Sequence, residues 1–312
     1  MPLLRFLPEA TKIDFIGARY YAFALDGILL LISIISIATH GFNLGIDFTG
    51  GVQIQAKAAQ VIDVGRVRSE VSALGFNDFQ IQSIGGGTCD KPVNSCVLIR
   101  VQPKANQDGN AVAKVIKDRL GKGYDFLNTQ VIGPKVSGEL FQSGVNATIL
   151  AIIAIAIWVA FRFEWQYGIS AAICTGHDVL VTAGLFSVLH WDFTLTSIAA
   201  LLTLAGYSIN DTVVVFDRIR ENRRKYKRMA LTDLINLSTN QMLTRTILTS
   251  AATAITIIPL LLFVPALKEF TGAILFGIVI GTASSTYVAA ALLLYLPKPA
   301  GSIETPAAET GG

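Results

Sequence analysis

Charged residues are scarce in this sequence. Asp, Glu, Lys and Arg together make up 15% of the 312 residues, whereas about 25% is usual for a soluble domain. Hydrophobic residues make up 52% of the chain. This imbalance argues against an ordinary soluble protein and predicts a membrane protein. The net charge of +3 identifies no partner by itself, because the positions of basic residues matter more than their sum.

Sequence motifs for nucleotide or metal chemistry are also lacking. No Walker motif occurs, and the glycine run at 85–87 is not followed by the Lys-Ser or Lys-Thr pair of a phosphate-binding loop. The three cysteines provide no metal-binding framework. We therefore expect no cofactor, no bound metal and no step driven by ATP. The first apolar run is too long for the core of a cleavable signal peptide.

Six apolar segments are long enough to cross a bilayer, which takes roughly 20 residues as a helix. They lie at residues 20–40, 140–161, 167–189, 194–217, 245–267 and 270–296. The predicted parts are an N-terminal segment (1–19), the first span, a soluble domain (41–139), a membrane region with the other five spans (140–296) and a tail (297–312). The tail is rich in Pro, Gly, Ala and Thr, so we expect it to be disordered.

Basic residues predict the orientation in the membrane. Lys and Arg precede the first span and are dense in a predicted loop at 218–244, whereas the short loops on the other side carry few. Because basic loops stay in the cytoplasm, both termini are expected there, and the soluble domain is expected in the periplasm of a cell with two membranes. Cys89 and Cys96 of that domain could form a disulfide or remain free thiols, since spacing alone does not decide.

Alternating apolar residues in the soluble domain predict strands, and longer periods predict helices. Val52, Ile54 and Ala56 alternate with polar residues in the first strand. The expected helices lie at 64–74 and 112–120, and the other strands at 79–82, 97–101 and 128–132. The resulting order βαββαβ is that of a ferredoxin-like unit. That fold hosts many activities, so it does not specify one.

Ionisable residues within the predicted spans are candidates for proton transfer. A carboxylate inside the bilayer costs roughly 2.5–3.5 kcal/mol on insertion scales, so Asp211 and Asp178 are functional-site hypotheses. Antiparallel spans would put Arg245 at a depth similar to that of Asp211. A carboxylate beside a guanidinium stays ionised, and a pair that separates leaves the carboxylate free to take up a proton. We therefore predict a proton relay of Asp211, Arg245 and Asp178.

Each of these residues also has a simpler interpretation. Asp211 could be hydrated near the cytoplasmic interface, and Arg245 could anchor the helix by extending to that interface. Asp178, with His177 beside it, could be a buried polar clamp between helices. The nearby Ser208, Asn210 and Thr246 are predicted to support the polar sites by hydrogen bonding to irregular backbone.

Several motifs occur in an order that resembles one known family. They are GIDFTGG at 45–51, HDV at 177–179, GYSINDTVVVFDRIREN at 206–222, RTILTS at 245–250 and FGIVIGTASSTY at 276–287. Over nearly its full length, the sequence resembles the SecF family, whose members are subunits of the bacterial SecDF protein-export machinery. The resemblance implies a membrane half of the resistance-nodulation-division type in the bacterial inner membrane.

The resemblance also implies partners and roles. SecD would supply a second membrane half, and the complex would act after the SecYEG translocon and SecA, beside YajC, on unfolded exported polypeptide. Membrane lipids are further expected partners, and nucleic acid is not. Proton flow would drive the process without covalent chemistry, with Asp211 and Arg245 tied to proton transport. Asp47, Gly50 and Gly51 would form a coupling hinge between the first span and the soluble domain.

Two other functions remain as alternatives. Half of a proton-driven exporter of small molecules or lipids, from the same superfamily, would share the membrane architecture. An intramembrane aspartyl protease could use Asp178 and Asp211 as its two carboxylates, but the GxGD sequence that such proteases carry is absent.

Overall fold

The first half of the chain forms one membrane-length helix and a small α/β domain. The computed structural model describes residues 11–76, 79–84, 89, 95–103, 107–264 and 267–297. Helix α1 (Arg19–His40) leads through strand β1 (Asn43–Leu44) and a one-turn helix α2 (Ile46–Thr49) into the domain. The domain then contains β2 (Gly51–Ala58), α3 (Val64–Ser72), β3 (Phe79–Ile84), β4 (Cys96–Val101), α4 (Gly109–Leu120) and β5 (Tyr124–Ile132).

The second half is a bundle of long helices. Its elements are α5 (Pro134–Arg162), α6 (Trp165–Val188), β6 (Asp192–Phe193), α7 (Leu195–Lys225), α8 (Leu231–Phe263) and α9 (Lys268–Ser284). A π-helical turn (Ser285–Ala289) continues α9 into α10 (Ala290–Leu292). With α1, the described residues contain six helices long and apolar enough to cross a membrane. The prediction of six membrane-length helices is confirmed.

The sheet of the soluble domain is covered by helices on one face. Its strand order is β3-β4-β2-β5, and all neighbouring strands are antiparallel. Val52, Ile54 and Ala56 of β2 are completely buried, and Val67 of α3 and Ile116 of α4 join them in one core. Burying a Val or Ile side chain contributes roughly 1.5–3 kcal/mol. Alternate residues of the central strands therefore hold both helices to the sheet.

Cys89 and Cys96 are joined by a disulfide at the beginning of β4. This is one of the two states that the sequence left open. The bond closes a loop on the side of the domain where β4 begins, and Ser95 adds a hydrogen bond from its hydroxyl to the carbonyl oxygen of Cys89 at 3.2 Å.

The membrane-length helices differ in how far the chain itself buries them. The most apolar part of α6 and that of the last helix (Lys268–Leu292) are each 61% buried, and that of α7 is 50% buried. The corresponding values for α1, α5 and α8 are 11%, 11% and 6%. Small residues permit the inner contacts: a Cβ at Gly277 of α9 would lie 2.5 Å from the side chain of Leu204 of α7. The outer helices therefore present apolar surface to lipid or to another protein.

The basic stretch at 218–244, expected as a loop, is mostly helical. Helix α7 continues to Lys225 and α8 begins at Leu231, so only residues 226–230 separate them. A helix of 31 residues is about 46 Å long, whereas the hydrocarbon core is roughly 30 Å thick. The apolar period stops where the helix leaves the hydrocarbon, although the helix continues. Basic side chains in its last turn favour that continuation, because they complement the negative end of the helix dipole.

Candidate functional site

Asp178 lies where α6, α7 and α9 meet. Its side chain is 0% exposed. Its Oδ2 accepts hydrogen bonds from Ser208 of α7 at 2.5 Å and from Ser284 of α9 at 2.8 Å. Its Oδ1 lies 3.1 Å from Nδ1 of His177. The carboxylate thus joins three helices, an arrangement that is compatible with both the predicted relay and the polar clamp.

His177 extends this network to α1. Its Nε2 lies 3.3 Å from the main-chain carbonyl oxygen of Asp26. Oδ2 of Asp26 is buried and has no hydrogen-bond partner within the described part of the chain. Three ionisable side chains therefore come together between α1 and α6. The sequence pattern assigns no role to Asp26, because its partners lie far away in the chain.

Asp211 occupies a separate buried position on α7. It is 4% exposed, and its Oδ2 has no hydrogen-bond partner among the residues that the structure describes. The groups of α8 that act on this carboxylate are the Arg245 guanidinium and the Thr249 hydroxyl. Across the same described residues, none of the ion pairs shorter than 4 Å joins Asp211 to Arg245. The two predicted partners therefore interact electrostatically without forming an ion pair within 4 Å.

Arg245 is exposed on α8 and lines an open cavity of about 440 Å³. Asp217, Arg218 and Glu221 of α7 line the same cavity. Arg218 is already engaged, because it donates hydrogen bonds to Glu221 at 2.5 Å and to Gln241 at 2.7 Å. The cavity therefore carries charges of both signs beside the end of α7, and water or a polar group can approach Arg245 from it.

The three residues predicted to support the polar sites fall in different surroundings. Ser208 donates its hydrogen bond to Asp178 rather than to Asp211. Thr246 is buried on α8, whereas Asn210 is exposed on α7. Of these three, Ser208 is the one that the structure brings into the Asp178 network.

The segment 45–51 lies where the soluble domain meets the membrane helices. Oδ2 of Asp47 accepts the N–H of Leu195 at 2.9 Å and so caps the beginning of α7. Gly50 and Gly51 have φ angles of 73° and 128°, which side chains rarely tolerate. A Cβ at Gly51 would lie 2.8 Å from the carbonyl oxygen of Val101 in β4. The predicted hinge residues thus contact α7 and the sheet at the same time.

A second link between domain and membrane region was missed by sequence reasoning. The Arg100 guanidinium of β4 donates hydrogen bonds to both carboxylate oxygens of Asp192 in β6, just before α7. The side chains are only 13% and 14% exposed. Asn43 of β1 donates to the same carboxylate at 2.7 Å, and Gln53 of β2 accepts from Arg100 at 2.9 Å. The available signal was a charge inside the apolar strand CVLIRV.

Two family models match this chain. The model described as "Protein export membrane protein SecD/SecF, C-terminal" matches residues 112–299. The model described as "SecD/SecF GG Motif" matches residues 35–60. The first match contains Asp178, Asp211 and Arg245, and the second contains the segment 45–51. Both predicted groups of site residues therefore lie inside matched regions.

Individual proteins agree with these matches. The protein translocase subunit SecF of Cereibacter sphaeroides is 40% identical over 306 residues, covering 94% of this chain and 92% of the relative. That of Escherichia coli O157:H7 is 36% identical, covering 91% and 87%. The crystal structure of SecDF from Thermus thermophilus, a translocon-associated membrane protein, matches with a TM-score of 0.81 and 33% identity. It covers 93% of this chain, which spans 39% of the SecDF chain. The chain belongs to the SecD/SecF family of protein-export membrane proteins, and within that family to SecF.

Proposed function

We propose that this chain is a subunit of a bacterial Sec export complex in the inner membrane, where it acts together with SecD. Proton flow through the membrane region promotes the translocation and release of polypeptides that SecYEG and SecA have begun to export. Its relatives are named protein translocase subunits, which supports the export role. No covalent chemistry is required of the chain.

The observation that carries this proposal is the setting of Asp211. The carboxylate is buried, one of its oxygens has no partner in the described chain, and Arg245 acts on it without a direct ion pair. A carboxylate in an ion pair with a guanidinium stays ionised, whereas one without such a pair can more readily exchange a proton. Arg245, exposed to the cavity beside α7, is placed to respond to the charge on Asp211.

The free energy that one proton releases on crossing the membrane is sufficient to drive a conformational change of the membrane region. One elementary charge that crosses 100 mV releases about 2.3 kcal/mol. A free-energy difference of about 1.4 kcal/mol changes an equilibrium tenfold. One proton can therefore shift the population of a two-state membrane domain more than tenfold.

The partner is expected on the face formed by α7 and α8. Asn210 and Gly206 of α7 and Arg245 of α8 are exposed although they lie within or beside membrane-length helices. Polar residues in a membrane normally face the interior of a bundle. The SecDF chain is much longer than this one, and we propose that SecD helices, corresponding to the remaining part, cover this face. YajC, lipids and the exported polypeptide are expected at other surfaces.

We further infer that the soluble domain is a periplasmic ferredoxin-like unit that moves with α7. Its element order and antiparallel sheet support this fold, and the disulfide suits an oxidising compartment. Asp47 and Arg100 both connect to the beginning of α7 through hydrogen bonds. Because α7 also carries Asp211, a change at that carboxylate reaches the domain along one helix.

The two alternatives find less support. An exporter of small molecules needs a binding cavity, usually of about 300–1,000 Å³ and mostly apolar. The cavity at the base of the soluble domain measures about 290 Å³ and is lined by polar Asn43, Gln80 and Arg100 as well as by apolar residues. The cavity of about 440 Å³ beside α7 has the required size, but several charged side chains line it. A protease would need Asp178 open to substrate, but this side chain is fully buried and already bound by two serines.

A complementation experiment tests the proposed relay. Cells that lack their own SecF receive wild type or variant chains at matched membrane levels, and secretion of a reporter is measured. We expect wild type to restore secretion and Asp211→Asn to fail. Asp233→Asn is the matched control, because this exposed acid lies on the helix that carries Arg245 but outside the cavity that Arg245 lines; it should rescue. Arg245→Met should fail, and Arg245→Lys should retain part of the activity because its charge remains.

Two results would contradict the proposal in different ways. Normal secretion with Asp211→Asn would give Asp211 a structural role and move the search for the relay to Asp178. Failure of every version, wild type included, in cells that do contain a compatible SecD would contradict the export role itself.

A further inference from the structure

His177 lies between two groups that can only accept hydrogen bonds. Its Nδ1 is 3.1 Å from Oδ1 of Asp178, and its Nε2 is 3.3 Å from the main-chain carbonyl oxygen of Asp26. A neutral imidazole has one N–H, so it can donate to one of the two oxygens but not to both. An ionised carboxylate and a carbonyl have no proton to give in return. Both contacts are hydrogen bonds only if the pair holds one additional proton.

The other oxygen of Asp178 shows where that proton lies. Oδ2 already accepts from the hydroxyls of Ser208 and Ser284, at 2.5 and 2.8 Å. The additional proton is therefore placed between Oδ1 and Nδ1, while the second ring N–H donates to Asp26. We propose that His177 and Asp178 together bind one exchangeable proton, as imidazolium and carboxylate or as imidazole and carboxylic acid. This is a second protonation site, separate from Asp211.

Two acids lie beside the single histidine of this site. Within the described residues, Asp26 of α1 and Asp178 both interact electrostatically with His177, and Cys174 of α6 is a further ionisable neighbour. The neighbouring helices α7 and α9 contribute the hydroxyls of Ser208 and Ser284. Without a bound proton, the site would hold two carboxylates and a neutral imidazole in a membrane interior, which is costly.

The proton also determines how α1 is held against α6. When the proton leaves, His177 keeps one N–H, and one of its two hydrogen bonds is lost. A second contact between the two helices does not depend on a proton. The hydroxyl of Ser187 in α6 lies 2.8 Å from the hydroxyl of Ser36 in α1 and donates a hydrogen bond to the carbonyl oxygen of Gly41 at 2.7 Å. Helix α1 leads directly into the segment 45–51. The presence of the additional proton follows from this geometry alone, whereas a role of that proton in export rests on the proposed function.

Spectroscopy of the full chain with its SecD partner tests the proton count directly. This chain has three histidines, so when it alone is labelled with ¹⁵N-histidine before assembly with unlabelled SecD, His40→Gln and His190→Gln leave His177 as the single source of the signal. We expect either two ring N–H groups on His177, or one N–H together with the infrared C=O stretch of a protonated carboxyl that disappears in Asp178→Asn. Spectra are recorded between about pH 5 and 8, and the pair should hold its proton at the lower end of that range.

The opposite result is equally specific. A neutral His177 with one N–H throughout that range, and no protonated carboxyl assigned to Asp178, would overturn the proposal. If Asp178→Asn does not fold, His177→Gln keeps the acid and should shift or remove the same carboxyl band. Ser187→Ala is the matched control, because it weakens the α1–α6 contact without touching the proton and should leave both signals unchanged. Normal secretion with Asp211→Asn would not alter these readings, so the two proposals fail independently.

Discussion

Gly50 holds a backbone conformation that depends on the absence of a side chain. Its φ angle is 73°, and a Cβ there would lie 3.2 Å from Cα of Pro134 and 3.3 Å from the carbonyl oxygen of Ile132. Both neighbours are backbone atoms, one at the end of β5 and one at the beginning of α5, so neither can move aside easily. The residue therefore fixes the angle at which the chain passes from α2 into the sheet.

We predict that Gly50→Ala destabilises the protein and lowers secretion more than Gly75→Ala does. Gly75 has a φ angle of 78°, but a Cβ there would meet nothing within 4 Å. Both variants carry the roughly 1–2 kcal/mol cost of an L-residue in the left-handed region, and only Gly50→Ala adds the contact with α5. Thermal unfolding in detergent and the secretion assay measure the difference. Equal effects of the two variants would show that the close approach to α5 has no importance.

For single residues, the sequence identifies the important polar side chains more reliably than it identifies the partners of those side chains. Asp178 and Asp211 stand out because a carboxylate in an apolar run is costly. The partner of Asp178 depends on how α7 and α9 are rotated about their axes, and no local pattern records that rotation. The sequence therefore predicts Ser208 only as general support for the polar sites through backbone hydrogen bonds, whereas its hydroxyl donates to Asp178.

Between elements, the ion pair of Arg100 and Asp192 joins the sheet to the beginning of α7. The pair is mostly buried, so removal of one partner leaves a charge without compensation, at a cost of about 3–5 kcal/mol. Glu269 at the start of α9 interacts electrostatically with both Asp192 and Arg100, so it adds a second acid near the guanidinium. Loss of Arg100 would bring two acids together at this joint.

We predict that Arg100→Asp and Asp192→Arg each reduce secretion strongly, and that the double variant recovers a large part of it. In the double variant the charges are exchanged but the pair remains, and Glu269 can face the new arginine. Arg66→Asp is the control, because Arg66 pairs with Glu70 within α3 and is 73% exposed. Exposed pairs contribute at most about 1 kcal/mol, so this variant should behave as wild type. A double variant no better than either single one would exclude a direct electrostatic link.

The spacing of apolar residues predicts the strands and helices, but it does not predict the contacts between them. The alternation of Val52, Ile54 and Ala56 predicts β2 and its buried face, as the structure has it. Arg100 and Asp192 lie 92 residues apart, one on a strand and the other in a short connection. Nothing in either local pattern relates the two, because their contact depends on how the whole domain sits on the membrane helices.

For the whole molecule, the distribution of buried and exposed helices indicates an incomplete assembly. The inner helices α6, α7 and the last helix are packed by the chain itself, whereas α1, α5 and α8 are largely exposed. Apolar side chains such as Ile149 of α5, 52% exposed, are satisfied by lipid. Asn210 and Arg245 are not, since hydrocarbon offers them no hydrogen bonds. The number of spans could be predicted from the sequence, but which faces are shared with a partner could not, because hydropathy averages over all sides of a helix.

We predict that Asn210→Trp reduces co-purification of SecD with this chain, while Ile149→Trp leaves it unchanged. A large side chain at a packed helix interface forces the helices apart, whereas the same side chain facing lipid is accommodated by the acyl chains. Asn210→Ala, which removes the amide without adding bulk, should weaken the association less than Asn210→Trp. The measurement is the ratio of the two subunits after mild detergent extraction, at equal membrane levels of each variant. If Ile149→Trp lowers the ratio and Asn210→Trp does not, the partner binds along α5, and the polar face of α7 and α8 must be covered in another way.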